Sequence, residues 1–290
     1  MTYSSAFATL ITMSQTLDIS VVIPFYNKAD MTLTCVRSLF TYGPPVKEIL
    51  LISNNSSTEE LEAVKTGVKD SKNVRVVTYN HPFNYQKINN WAIAQASGET
   101  ILMLNNDIEL IEKSRGLIED MYKKTQDPKV GIVGCLLLYG NNRLIQHGGV
   151  FLLPGGQADH LYVSKKYKKA VAQAGTKEFP YDIQEDRPLT AVTGAAQMVR
   201  KDRFDAVHGF DEHFIICGGD VDLCLRMNAS GHQSWFLGGK HGYMLHKESQ
   251  SRKFTPIPYN DFYWSYISYS KGLDPAVGDP YLPKITKEMK

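Results

Sequence analysis

Three short polar turns hold the groups best suited to chemistry in the first half of this 290-residue sequence. Each follows an apolar run: Pro24 to Asn27 after ISVVI, Ser53 to Ser57 after EILLI, and Asn105 to Asp107 after TILML. Together they offer backbone amides, Tyr26, the side-chain amides of Asn27, Asn54, Asn55 and Asn105, and one carboxylate, Asp107. Amides can hydrogen-bond a base and a ribose, and a hard carboxylate oxygen can hold Mg2+ or Mn2+. The set therefore suits a nucleotide with a metal-bound diphosphate. No GxGxxG follows the first run and no GxxxxGK[ST] occurs anywhere, which argues against a dinucleotide oxidoreductase and a P-loop NTPase.

These turns need strands to place them. From Asp18 onward, short β-branched runs alternate with amphipathic stretches, which predicts a parallel sheet covered by helices. Strands are expected at 19–24, 48–53, 74–79 and 100–107, with helices over 29–41, around Leu61, Val64 and Val68, and from Asn84 through Gln95. In an open sheet of this kind the C-terminal strand ends form the ligand crevice, so the three turns should converge. The second half is more mixed. Runs at 129–139 and 144–153 read as single strands, 154–190 as an excursion, and a short helix is expected around Arg203 to Val207. An amphipathic helix from Asp220 to Ser230, stopped by Gly231, and a strand near Ser234 to Leu237 follow. No internal repeat or low-complexity linker interrupts the chain, so one continuous domain is expected after a frayed tail over 1–17, with Met13 as an alternative start.

Composition narrows the classes further. At 43% hydrophobic and 21% charged residues the chain is not disordered, and 32 Lys plus Arg against 30 Asp plus Glu gives +2, too little for a polyanion-binding field. Nucleic acid is not an expected partner. Cys35, Cys135, Cys217 and Cys224 show no CxxC spacing and read as reduced, cytosolic thiols. No run reaches the roughly 18 to 20 apolar residues of a spanning helix, which leaves peripheral membrane contact open. Lys165, Lys166, Lys168 and Lys169 form the one dense basic run. It reads as a solvated loop, with an anionic membrane surface or a lipid-diphosphate acceptor as the alternative.

Eight segments carry a resemblance: VVIPFYN at 21–27, SNNSS at 53–57, FNYQKINNWA at 83–92, LNND at 104–107, TGAAQMVRK at 193–201, GFDEHF at 209–214, GDVDLCLRM at 219–227 and LHKES at 245–249. They occur in the order seen in family 2 glycosyltransferases, and the chain resembles that family over roughly 18–252. FNYQKINNWA, LNND, DVDLCLR and LHKES look most like the rhamnosyltransferase-type branch that builds bacterial surface polysaccharides. The resemblance implies an α/β GT-A fold, a Rossmann-like, mostly parallel sheet flanked by helices. A nucleotide-sugar-binding half would span 18–110, an acceptor half 111–252, and a C-terminal tail, 253–290, would pack on or near the domain.

Residue by residue, the resemblance implies a DxD-type turn at Asn105, Asn106 and Asp107. Asp107 would be the metal ligand and Asn105, in place of the usual first carboxylate, a ribose or water-mediated contact. Asn and Asp also favour turns for conformational reasons alone. Asn54 would read the base, with its carbonyl accepting from N3 of a pyrimidine, while Pro24 and Tyr26 shape the pocket; UDP and dTDP donors, dTDP-rhamnose among them, both fit. Asn90 matches a position facing the donor phosphates or sugar, against the reading of a solvated helix amide. His246 would complete the site for Mn2+ or Mg2+, next to Lys247 where relatives often show a second histidine, and His147 would border the donor sugar. Arg252 could reach the diphosphate when a loop closes, or be a surface arginine. Asp220 would be the general base, and it also suits the start of a helix as a cap. Gly219 stands where relatives often carry Glu. Asp222 and Arg226, four apart, read as structural. The expected reaction is an inverting, metal-dependent transfer to a hydroxyl of a glycan or lipid-linked saccharide. A non-catalytic sugar-nucleotide-binding protein, or the inactive partner of an assembly, is the rival. A sugar-1-phosphate nucleotidyltransferase lacks support, since no Gly-rich, basic loop follows the first strand.

Overall fold

Runs such as ISVVI and TILML carry apolar residues at consecutive positions, with Ser20 and Thr100 as the exceptions, so both faces of the strands they form must be covered. The computed structural model describes residues 15–140, 143–153, 157–247, 256–272 and 279–282. It begins β1 (Leu17–Phe25), α1 (Ala29–Tyr42), β2 (Val46–Ser53), α2 (Thr58–Val68), β3 (Val74–Thr78), α3 (Tyr85–Ala94), β4 (Thr100–Leu104) and β5 (Ile108–Glu109). Then come α4 (Leu117–Thr125), β6 (Val130–Cys135), β7 (Leu137–Tyr139), β8 (Ile145–His147), β9 (Val150–Leu153), β10 (Gln157–His160), α5 (Tyr167–Ala172) and β11 (Arg187–Leu189). Among the described residues, β12 (Ala196–Arg200), α6 (Lys201–Ala206), α7 (Gly219–Ala229), β13 (Gln233–Leu237), β14 (Met244–His246) and α8 (Tyr259–Gly272) follow.

The large sheet has the order β11-β13-β6-β12-β4-β1-β2-β3. β1 to β4 run parallel, and β12 lies antiparallel between β4 and β6. Side chains alternate across it with period two: Val22, Leu50 and Met103 pack on the side of Ile88 and Leu223, and Val21, Ile49 and Leu102 on the side of Val36 and Val64. Helix starts follow local chemistry. Ser57 caps α2 by accepting from the Glu60 amide, and Asn84 caps α3 by accepting from the Lys87 amide at 2.9 Å.

Two expected strands are each divided. After Cys135 the 129–139 run leaves β13 and pairs as β7 with β14, in a second sheet ordered β5-β14-β7-β8. The 144–153 run breaks at Gly148–Gly149, where Gly149 has φ 108 and a Cβ would fall 2.1 Å from Leu189 Cδ1. Hydrophobic pattern reports burial and carries no record of which partner a strand pairs with. The 154–190 excursion contains β10, α5 and β11. Within the C-terminal segment, α8 packs on α7, and buried Asp279 accepts from the Leu152 amide at 2.9 Å and the Thr190 hydroxyl at 2.8 Å.

Candidate active site

The ends of β1 and β2 are laced together by their own turn residues. Asn27 (φ 49) and Lys28 (φ 55) bend the chain, the Asn27 amide donates to Ser56 Oγ at 2.9 Å, and Asn27 Oδ1 accepts from the Ser57 amide at 2.8 Å. Pro24 lies in register with Ile52, and Tyr26 stands half exposed at the rim. Buried Asn54 donates through Nδ2 to the carbonyls of Tyr79 and His81, each at 2.9 Å, which leaves Oδ1 as its acceptor. Asn55 donates to the same His81 carbonyl at 2.8 Å.

At the end of β4 the three turn residues have separate tasks. Asn105 Oδ1 lies 3.2 Å from the Tyr85 hydroxyl, which is also 3.0 Å from the Gly194 carbonyl, and the Asn105 amide donates to Ala195 O at 3.0 Å. Asn106 reaches α1 through Thr32 Oγ1 at 3.1 Å. Asp107 turns inward. Its Oδ1 is buried, has no hydrogen-bond donor among the described residues, and stands 3.2 Å from His246 Nε2. The β5–β14 pairing makes this meeting, because His246 is in register with Ile108 and the Lys247 amide donates to Asp107 O at 3.0 Å. His246 Nδ1 is likewise buried without a partner among the described residues.

That pair fits a divalent cation: a carboxylate oxygen and an imidazole nitrogen are aimed together, with the carboxylate oxygen unsatisfied. Among the described residues no third His, Cys, Asp or Glu joins them, so the remaining ligands would come from substrate oxygens and water. Fully buried His147 lies close by, with Nε2 accepting from the Thr193 amide at 3.4 Å and Nδ1 2.8 Å from His160 Nδ1. Burial, then the neighbouring imidazoles of His160 and His246, push its pKa well below the ordinary histidine value, so it stays neutral.

Asp220 sits in the first turn of α7. Its Oδ2 accepts from the Gly194 amide at 2.7 Å and its Oδ1 from the Val221 amide at 2.9 Å. The carboxylate is part-exposed and each oxygen keeps a lone pair, so capping and proton acceptance are compatible. Gly194 links Asp220 to the turn after β4: its amide holds Asp220, while its carbonyl faces the Tyr85 hydroxyl that reaches Asn105. At Gly219 a Cβ would fall 2.5 Å from Gln86 Cδ, so the place beside Asp220 is taken by a buried amide from α3.

Asn90 Nδ2 donates to Phe210 O at 3.0 Å and to Glu212 Oε1 at 3.1 Å, and its Oδ1 accepts from the Phe210 amide at 2.9 Å, so both ends of the side chain fasten the GFDEHF turn. Arg252 lies outside the described residues. Asp222 and Arg226 pair at 2.8 Å, and Arg226 Nη1 also donates to the carbonyls of Val207 and Gly209.

Asp261 has no counterpart in the sequence reading. It is 1% exposed, and its carboxylate accepts from the amides of Ile215 (2.7 Å), Ile216 (2.8 Å) and Cys217 (2.9 Å), immediately before α7. Tyr269 donates to Gly218 O at 3.0 Å and Ser268 to Asp222 Oδ1 at 2.6 Å. Gly218, at φ 89, has no room for a Cβ, which would lie 2.6 Å from Ser265 Oγ. Helix α8 thus braces the loop that presents Asp220. The only sequence signal is an aspartate near the start of an aromatic-rich helix.

A mostly parallel sheet with an Asp-ending turn after its fourth strand and a carboxylate at a later helix start defines the GT-A class, and solved glycosyltransferases share the fold. GalNAc-T7, solved with UDP, GalNAc and Mn2+, superposes with a TM-score of 0.62 at 18% identity, over 83% of this chain and 45% of that one. A mannosyltransferase from Pyrobaculum calidifontis, solved with GDP-Man and Mn2+, gives 0.57 at 11% identity, over 89% and 74%. The chain belongs to glycosyl transferase family 2, whose model matches residues 20–202. It is 38% identical over 264 residues to the O-antigen biosynthesis protein RfbC of Myxococcus xanthus, covering 91% of this chain and 20% of that relative. The chain therefore spans about a fifth of RfbC's length. Among the described residues no helix is long and apolar enough to cross a membrane.

Proposed function

We propose that this chain transfers a sugar from a UDP- or dTDP-linked donor to a hydroxyl of a saccharide or lipid-linked glycan, with inversion, in surface-polysaccharide assembly. The observation that carries the reading is the link through Gly194 between Asp220 and the turn ending at Asp107 and His246. The 18–110 half would hold the nucleotide: Asn54 Oδ1 accepts the N3 proton of a pyrimidine, and Pro24 and Tyr26 flank the base. Asn105 and Asn106 brace the turn, and Asp107 and His246 would hold Mn2+ or Mg2+, which when bound offsets charge on the nucleoside diphosphate leaving group. Asp220 takes the proton of the acceptor hydroxyl as it attacks the anomeric carbon from the 111–252 half. Neighbours solved with UDP or GDP-Man and Mn2+, and the RfbC relative, support this assignment.

A panel of UDP-, dTDP- and GDP-sugars tests it. Saturating UDP- or dTDP-sugar with Mn2+ should stabilise the protein and release nucleoside diphosphate when a saccharide acceptor is present, and excess chelator should stop release. Failure of every nucleotide sugar to bind refutes the assignment. One observation favours the rival of a non-catalytic binder, since Gln86 occupies the place of a second carboxylate at Gly219. Donor binding with no transfer product across an acceptor panel would establish it.

A further inference from the structure

Away from the crevice, a cleft of about 890 Å3 opens where residues 112–115, 166–168 and 239–243 come together. Its rim is basic in a selective way. Arg115 is paired with Glu112, and Lys240 with Glu185, whereas Lys113, Arg143, Lys166 and Lys168 have no acidic partner among the described residues. The lysine run is sorted by structure. Lys169 is drawn off to Glu178 at 2.7 Å and sits over the Phe179 ring, while Lys166 and Lys168 line the cleft. Backbone pairing fixes that orientation: Leu144 bridges Lys166, and the Ile145 amide donates to Lys165 O at 2.9 Å. Tyr167 and Tyr243 lie inside the cleft edge to face, 5.5 Å apart, with the Tyr167 hydroxyl held by Gln184.

We infer that this cleft binds an anionic saccharide, a glycan segment bearing phosphate or carboxylate groups. Four uncompensated cations around one cavity select negative charge, and ordered tyrosine rings offer flat apolar surface to the C–H faces of sugar rings. A bare basic patch would need no aromatic lining, and a neutral-sugar site would need no cations. The cleft is joined to the candidate active site by one strand: Gly242 and Tyr243 lie at its wall, and β14 runs from there to His246. Three residues of strand span about 10 Å, a few sugar units or fewer. Resting on the transferase reading, the segment held is the part of the acceptor or growing glycan away from the reacting hydroxyl.

The test measures binding to the full chain directly, with three fluorescent tetrasaccharides of equal length: one uronate-rich, one phosphate-bearing and one neutral. Both anionic probes are expected to bind at least about tenfold more tightly than the neutral one, and to weaken as salt screens the exposed cations. Lys166→Glu with Lys168→Glu should abolish anionic binding, and the milder Lys166→Ala with Lys168→Ala should weaken it about tenfold, as expected for two modest exposed charge contacts. Both exposed pairs should leave melting and UDP binding unchanged. Equal binding of charged and neutral probes, wild-type binding by the glutamate variant, or binding to anionic phospholipid vesicles without binding to any soluble anionic saccharide would overturn the inference. Binding of UDP, dTDP and GDP is read in parallel. Absence of affinity for all three in the wild-type chain with saccharide binding intact would refute the transferase reading alone.

Discussion

Replacing Asp261 by Ala removes one carboxylate that accepts three backbone amides at 2.7 to 2.9 Å. Hydrogen bonds to a charged group contribute about 1.5–3 kcal/mol each. Ile215 and Ile216 are half-buried and Cys217 is exposed, so water can recover part of the loss. The expected net cost is about 3–5 kcal/mol, most of it in the docking of α8 on the 215–218 loop, and it should lower Tm by about 8 °C. Because that loop presents Asp220, kcat should fall about 10- to 100-fold while the affinity for nucleotide is unchanged. Asp261→Asn retains one acceptor oxygen and should fall between. Hydrogen exchange reports the loop and α8, melting reports the chain, and a KM-against-kcat split reports positioning. Released exchange protection at 215–218 with kcat within about twofold of wild type would refute the claim that α8 positions Asp220.

Three other outcomes follow from the same geometry. Asp107→Asn should weaken Mn2+ binding at least about tenfold in calorimetry with UDP present, with the fold intact by melting; undiminished Mn2+ affinity would remove Asp107 from the metal site. Gly219→Ala should cost about 1–3 kcal/mol because its methyl group meets the Gln86 amide, and Gln86→Ala should relieve that cost in a double-mutant cycle; additive losses would contradict the steric account. His241 is bridged by Asp120 Oδ2 at 2.8 Å and Asp186 Oδ2 at 3.0 Å. Burial lowers its pKa, but hydrogen bonds and attraction from the two carboxylates outweigh that and raise it above 6.5. It therefore holds its proton in the fold to higher pH than in the unfolded chain. Its stabilisation is full below about pH 6.5 and is lost as pH rises through the folded value, and His241→Gln should flatten that part of the stability profile; an unchanged slope would sink the linkage.

The turns of the crevice at the ends of β1, β2 and β4 are legible because their groups are local. A strand ending in PFYN or SNNSS places its own turn, and parallel pairing of β1, β2 and β4 carries the turns to one edge. The meeting of Asp107 and His246 is not local, since it depends on a two-residue strand, β5, pairing with β14 across a long sequence separation. Periodicity cannot resolve a strand that short, and only the order of motifs suggested the pair. Asn90 shows the converse: a helix amide in a motif can serve the fold, because buried turns need partners for their backbone groups as much as ligands do. Asp261 is hidden for the same reason. Its partners are backbone amides, which leave no mark on composition or spacing.

Asp220 is proposed to accept the proton of the attacking hydroxyl while a separate pair, Asp107 and His246, serves the leaving group. Asp220→Asn removes the base and keeps an acceptor for the Gly194 amide. With the donor and acceptor that the wild type turns over, the variant is expected to bind nucleotide sugar as tightly as wild type, to melt within about 2 °C of it, and to lose transfer by at least about 1,000-fold. Near-normal turnover with unchanged binding would contradict the account.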